Sequence, residues 1–187
     1  MRGIFVDLET TGRDASKHVV LDICVAVVDM TSCDNIAQYH SCITCSADDW
    51  LRSEPKALQV NGFDESALIQ GKSIERVSYE LLGFLVNLQL TRYNSFFMCQ
   101  NPTFDKPFFD KIITLENQEN YDMPYHWLDL ASMYWIVKGV GNIGDINLSK
   151  DAIARNIGRP IEEMPHRATN GVRHLIECYK VLKEISL

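Results

Sequence analysis

Residues 19–29 read VVLDICVAVVD, a run dense in β-branched and apolar side chains. A strand of that composition belongs in the middle of a sheet, with partners on either side. Before it, Ile4-Phe5-Val6 reads as a short buried strand closed by the turn Thr10-Thr11-Gly12. After it, Gln38–Cys45 reads as a third. Strands in succession with short connections predict an antiparallel meander at the start of the sheet. The pattern then changes. Pro55–Asn61 predicts a short helix closed by Gly62, and Ser73–Leu88 a longer one with Ser73 as N-cap. In the longer helix Ile74, Val77, Leu81, Leu82, Leu85 and Leu88 recur at helical spacing. Phe96–Cys99 predicts a fourth strand, broken by Asn101-Pro102, and Phe104–Thr114 a helix. Residues 127–130 predict either a strand or the entry to a helix running to Ile136. Gly139–Asn147 reads as a glycine-rich loop. Leu148–Ile157 and Asn170–Ile185 read as the last two helices. Strands first, then alternating helix and strand, predict an α/β or α+β fold in one domain over residues 1–187.

The 46% hydrophobic content suffices for a core without disulfide or metal staples. No apolar run approaches the length of a membrane span, and the N-terminus does not read as a signal peptide. Six cysteines, mostly in apolar contexts, fit reduced thiols and a cytoplasmic location. Cys42-Ile-Thr-Cys45 lacks a second CxxC or a His pair and reads as ordinary strand cysteines. A net charge of −7 argues against broad electrostatic capture of duplex nucleic acid. The charge is uneven: residues 1–149 hold 11 Lys+Arg against 20 Asp+Glu, residues 150–187 hold 7 against 5. The C-terminal part is thus locally basic, through Lys150, Arg155, Arg159, Arg167 and Arg173, which read as solvated helix faces.

Directly after the first strand stand Asp7 and Glu9, one residue apart. Side chains alternate along a strand, so both carboxylates point to one side. There they repel unless a positive charge lies between them. By itself the pair is equally a solvated strand end. Asp105, taken alone, is equally an acid favouring a helix N-terminus, and His166 an exposed loop histidine.

Four stretches acquire meaning together: DLETTG with Asp7 and Glu9, ALQVNGF (57–63), QNPTFDKPFF with Asp105, and PHRATNGVRH with His166. In order and spacing they resemble the DEDDh 3′–5′ exonucleases, the family of the proofreading exonucleases of DNA polymerase III type, RNase T and oligoribonuclease. LSKDAIARNIGRP (148–160) resembles that family's helix before its last motif. The resemblance implies a ribonuclease-H-like α/β fold, a mixed five-stranded sheet flanked by helices. It implies cleavage of nucleotides from the 3′ ends of single-stranded RNA or DNA or short oligonucleotides, with two divalent ions, Mg²⁺ or Mn²⁺. Paired ions roughly 3.5–4 Å apart stabilise the attacking and leaving oxygens of an in-line displacement, and hard oxygen ligands suit them. By the resemblance Asp7 bridges the ions, Glu9 holds one, Asp105 acts on the other through water, and His166 is the general base. Leu8, Thr10, Thr11, Val60, Asn61, Phe63, Asn101 and Phe104 border the terminal nucleotide. A homodimer is a common state in the family.

One position departs from the family. Its last motif reads H-x-A-x-x-D, whereas this chain reads His166-Arg-Ala-Thr-Asn-Gly171. Glycine cannot ligate, so the second ion should bind weakly. Three residues further on, His174 lies on the same helix face as 171 and is the nearest candidate substitute. Gly171→Asp is then expected to restore the ligand. The alternative is a catalytically degenerate domain that binds nucleic-acid ends or a protein partner.

Overall fold

The structure is a computed structural model and describes residues 1–139 and 147–186. A five-stranded mixed sheet in the order β3-β2-β1-β4-β5 forms its centre. It comprises β1 (Arg2–Thr10), β2 (Val20–Asp29), β3 (Asn35–Cys42), β4 (Ser95–Cys99) and β5 (Trp127–Asp129). The expected meander is present: β1–β2 and β2–β3 are antiparallel. β4 pairs β1 in parallel, and β5 pairs β4 in parallel. The 19–29 run is interior, as its composition requires, and residues 20–28 are all buried.

Two cores cover the two faces. On one, Ile4, Val6 and Leu8 pack with Ile23, Val25 and Val27 beneath α3 (Ile74–Asn87) and α4 (Pro102–Ile112). On the other, Phe5, Cys24, Ala26 and Val28 pack beneath α6 (Leu130–Tyr134), α7 (Lys150–Asn156) and α8 (Ala168–Ser186). The alternation of β1 therefore puts Asp7 and Glu9 on the α8 face, in line with Phe5. The remaining helices are α1 (Ala47–Leu51), α2 (Pro55–Asn61) and α5 (Leu115–Asn120), with a 3₁₀ turn at Glu65–Leu68 and a π turn at Trp135–Gly139. Among the described residues no helix is long and apolar enough to cross a membrane.

The differences from the sequence reading have local causes. β1 runs on through Glu9 and Thr10, because the ladder to β2 continues through Asp7↔Cys24 and Glu9↔Asp22 irrespective of side-chain polarity. β3 begins earlier and ends at Cys42; Ile43 then turns to bridge Lys72. Helices α1 and α5 escape a periodicity search because they are short and bury almost nothing apolar; Ser46 and Thr114 cap them. Residues 127–130 resolve into both readings at once, a short strand whose last residue, Asp129, caps α6. Most of the expected glycine-rich loop, 140–146, lies outside the described residues.

One buried acid ties the sheet to α8. Asp22 is fully buried; its Oδ1 lies 2.8 Å from His40 Nε2, and its Oδ2 accepts the Ala168 N–H at 3.1 Å. Without that acceptor the first amide of α8 is orphaned in the core. Asp22→Ala is expected to lower unfolding free energy by about 1–3 kcal/mol, the cost of leaving such a group unsatisfied, measured by urea denaturation.

Candidate active site

The C-terminal ends of β1 and β4 are neighbours in a parallel pair, and a crevice opens beyond them, where open α/β sheets hold their ligands. Its volume is about 390 Å³. Asp7 and Glu9 form its floor from β1. Asp105 enters from the first turn of α4, which Asn101 starts in a left-handed conformation (φ 63°) with Pro102 at the first helical position. The Asn101 N–H donates to Asp129 Oδ1 at 2.9 Å, which fixes the turn. His166 comes from the segment ahead of α8. That segment is latched to α2: the His166 N–H donates to the Val60 carbonyl at 3.0 Å, and Arg167 Nη1 donates to the Asn61 carbonyl. α2 is in turn pinned to β1, with the Glu54 N–H donating to Thr11 O at 2.7 Å and Asn61 Nδ2 donating to Thr10 O at 3.0 Å. Gly62 closes α2 at φ 64°, and a Cβ there would stand 2.8 Å from the Pro165 Cβ. Glycine thus serves both the left-handed cap and the close approach of the latch.

The expected residues fall into two groups. Asp7, Glu9, Asp105 and His166 meet in the crevice, and Leu8, Thr10, Val60, Asn61, Asn101 and Phe104 line it with them. Thr11 and Phe63 do not line it. Thr11 is fully buried, and its Oγ1 accepts the Val19 N–H at 3.0 Å and lies 3.3 Å from His18 Nδ1. Phe63 lies under the Arg167 guanidinium, 4.4 Å from ring centroid to Cζ, and so braces the latch.

Two residues at the site escape the sequence reading. Lys150, read there as a surface charge, inserts its ammonium between acids, 2.8 Å from Asp7 Oδ1 and 2.9 Å from Glu162 Oε2. Glu162, four residues before His166, is buried; its neighbour Glu163 is exposed. Glu9, Glu162 and His166 carry ligand atoms that all lie within 4.8 Å of one another. The sequence offers one faint signal, the Glu162-Glu163 pair just ahead of the histidine. Nothing in it says which of the two turns inward.

Crowding sets the electrostatics. Burial, with Asp7 next, pushes the Glu9 carboxyl up to about 9. Burial pushes Asp7 up to about 6, with the Lys150 charge acting against it. Asp105 is raised by burial and then by Asp7. Burial acts to lower the Lys150 ammonium, but Asp7 and Glu162 outweigh it and hold it above its ordinary value. The site resists full ionisation of its acids and favours a further cation.

At Gly171 the structure corrects the sequence expectation. A Cβ on that residue would stand 2.1 Å from Asp7 Oδ2 and 2.3 Å from Asp7 Cγ. The glycine is where the Asp7 carboxylate lies against α8, so a side chain added there has to displace that carboxylate. Nor does His174 take its place: its ring Nε2 lies 2.9 Å from the Pro160 carbonyl and is spent there.

No family model matches the sequence, and no curated protein matches it. Solved structures do. The nuclease domain of 3′hExo, described as a DEDDh family member bound to rAMP, superposes with a TM-score of 0.73 at 10% identity, over 98% of this chain and 92% of that one. Cell-death related nuclease 4 gives 0.77 at 11% identity, over 98% and 64%. Exonuclease I of E. coli in complex with a dT13 oligonucleotide gives 0.76 at 15%, over 97% and 41%. The chain therefore shares the fold of these solved exonucleases and nucleases. It spans 64% of the length of each of two of these matched chains, a 3′-exonuclease and the cell-death related nuclease, and 41% of exonuclease I.

Two outcomes follow from the crowding. A carboxyl that holds its proton more tightly folded than unfolded favours folding while protonated, and that stability is lost as pH rises toward the folded value. With Glu9 moved from 4.5 to about 9, thermal stability in chelator is expected to fall as pH rises across that interval. Glu9→Gln should flatten the decline in a melting-temperature series. Gly171→Ala should turn the Asp7 carboxylate out of its place and weaken Mn²⁺ binding at least about tenfold by calorimetry, the loss typical of disturbing a ligand's support. Gly171→Asp should behave no better.

Proposed function

We propose that the chain, read as one exonuclease domain over residues 1–187, is a metal-dependent 3′–5′ exonuclease. Its substrates are the 3′ ends of single-stranded RNA or DNA, or short oligonucleotides. The observation that carries this reading is the meeting of Asp7, Glu9, Asp105 and His166 in one crevice, from three separate parts of the chain. The fit to a divalent ion rests on buried acids raised above their ordinary values and on the Glu162 Oε1, which has no partner among the described residues. Asp7, Glu9 and Asp105 would hold Mg²⁺ or Mn²⁺, whose oxygen preference matches the donor set. A bound divalent ion supplies Lewis-acid polarisation of the phosphodiester and a lowered pKa for the attacking water.

The chain's own residues do the rest. His166, with its side chain about 29% exposed, is placed at the crevice edge to take the proton of that water on a ring nitrogen. Phe104 offers an aromatic face for the terminal base, a contact indifferent to base identity. Arg13, beside Glu54 at 3.4 Å, and Lys56 bring positive charge to the lining for the phosphate backbone. The similarity to structures described with rAMP and with dT13 supports a site that accepts either sugar.

The Lys150–Asp7 ion pair supports a second reading, in which an internal cation stands where an ion would, leaving a pocket that binds ends without cutting. Oligonucleotides labelled at the 3′ or the 5′ end, incubated with Mg²⁺ or Mn²⁺, separate the two. The expected result is stepwise shortening from the 3′ end, reduced at least about 10–100-fold by Asp7→Ala. Absence of shortening with either metal overturns the exonuclease reading, and end-specific binding without turnover establishes the second.

A further inference from the structure

We propose that Glu162 supplies the fourth carboxylate of the ion site, delivered by the segment ahead of α8 instead of by α8 itself. The inference rests on the exonuclease reading for the use made of the ion.

Burial is the first support. The Glu162 side chain is 1% exposed; Lys150 Nζ lies 2.9 Å from its Oε2, and its Oε1 has no partner among the described residues. A buried carboxylate oxygen without a partner is costly, and such an oxygen calls for a water, an ion or a catalytic use. Its basic neighbours are Lys150 Nζ at 2.9 Å and the His166 ring Nδ1 at 4.0 Å. Glu163, adjacent in sequence, has a side chain 78% exposed and faces Arg173 at 3.9 Å. Only one of two chemically identical residues is therefore held inside.

Placement is the second support. Glu162 stands with Glu9 and His166, ligand atoms all within 4.8 Å of one another. Refilling the α8 position would displace the Asp7 carboxylate, which occupies the space a Cβ would need at Gly171. An acid arriving from the preceding segment avoids that clash. The latch holding this segment to α2 fixes the acid and the histidine together, through the His166 and Arg167 bonds to Val60 and Asn61.

Lys150 has a positioning role in this arrangement. Its ammonium touches Asp7 and Glu162 together and offsets their repulsion before an ion arrives. It also competes with the ion for both acids. A rival account would make Glu162 only the counter-ion of Lys150, and the two accounts differ in a double-mutant cycle.

The test is titration of the full chain with Mn²⁺, followed by the electron paramagnetic resonance signal of the free ion. Glu162→Gln keeps the shape and removes the charge; it should weaken Mn²⁺ binding at least about tenfold. Glu163→Gln should leave binding unchanged. Lys150→Met should tighten it, and the loss caused by Glu162→Gln should persist in the Lys150→Met background. The proposal is overturned if Glu162→Gln binds Mn²⁺ as the parent does, if its effect vanishes once Lys150 is gone, or if the parent binds no Mn²⁺. Should circular dichroism show Glu162→Gln unfolded, Glu162→Asp, which keeps the charge but withdraws it by one methylene, replaces it. A weakened affinity then supports the proposal and an unchanged one overturns it. Unaltered Mn²⁺ binding in Glu162→Gln alongside 3′-shortening rejects this ligand and leaves the exonuclease reading standing. Glu162-dependent Mn²⁺ binding with no shortening of any oligonucleotide does the reverse.

Discussion

Four carboxylates, Asp7, Glu9, Asp105 and Glu162, are brought out of water around a single ammonium, that of Lys150. Each loses hydration, and each raises the cost of ionising the next. An assembly of this kind persists only if the surrounding fold is stiff enough to prevent its members from drifting apart. The stiffness comes from β1, whose ladder to β2 runs on through Asp7 and Glu9, while β4 holds its other edge from Arg2 to Phe5 and apolar side chains pack on both faces. A strand so constrained cannot twist its last residues away from one another, so Asp7 and Glu9 stay on one face despite their repulsion.

The remaining walls depend on that strand through hydrogen bonds that have little to do with the acids. Asn61 reaches from α2 to the Thr10 carbonyl, and the carbonyls of Val60 and Asn61 then receive the segment carrying Glu162 and His166. Asp22, across the ladder from Glu9, receives the first amide of α8 and brings Gly171 down onto Asp7. Residues expected to touch a nucleotide are thereby divided. Asn61 both lines the crevice and ties it together, whereas Thr11 and Phe63 serve the scaffold, one under the turn and one beneath Arg167.

Gly171 illustrates how a motif read in one dimension can mislead in three. A missing acid in a linear pattern suggests an empty place waiting to be refilled. In the structure the place is taken, because the Asp7 side chain lies against the helix at the point where it has no Cβ. The carboxylate proposed in its stead, Glu162, lies on a segment that no spacing rule singles out, since its place depends on the latch of His166 and Arg167 to α2 and not on any period along the chain.

Much of the architecture was legible in the residues. The composition of 19–29 placed a strand inside the sheet, the spacing of Ile74 through Leu88 defined α3 and its Ser73 cap, and the alternation around Ile4–Glu9 put two acids on one face. Those features are local, and periodicity reports them because each residue's surroundings repeat with the chain's own geometry. Four motifs in order were enough to suggest the fold and the crevice. Only the tertiary structure decided that Lys150 enters that crevice and that the buried Glu162 meets it there. Lys150 and Glu162 lie 143 and 155 residues from Asp7 and carry no pattern of their own. Their burial and pairing are products of packing, and a charge in a sequence does not say whether water or another charge will be its neighbour.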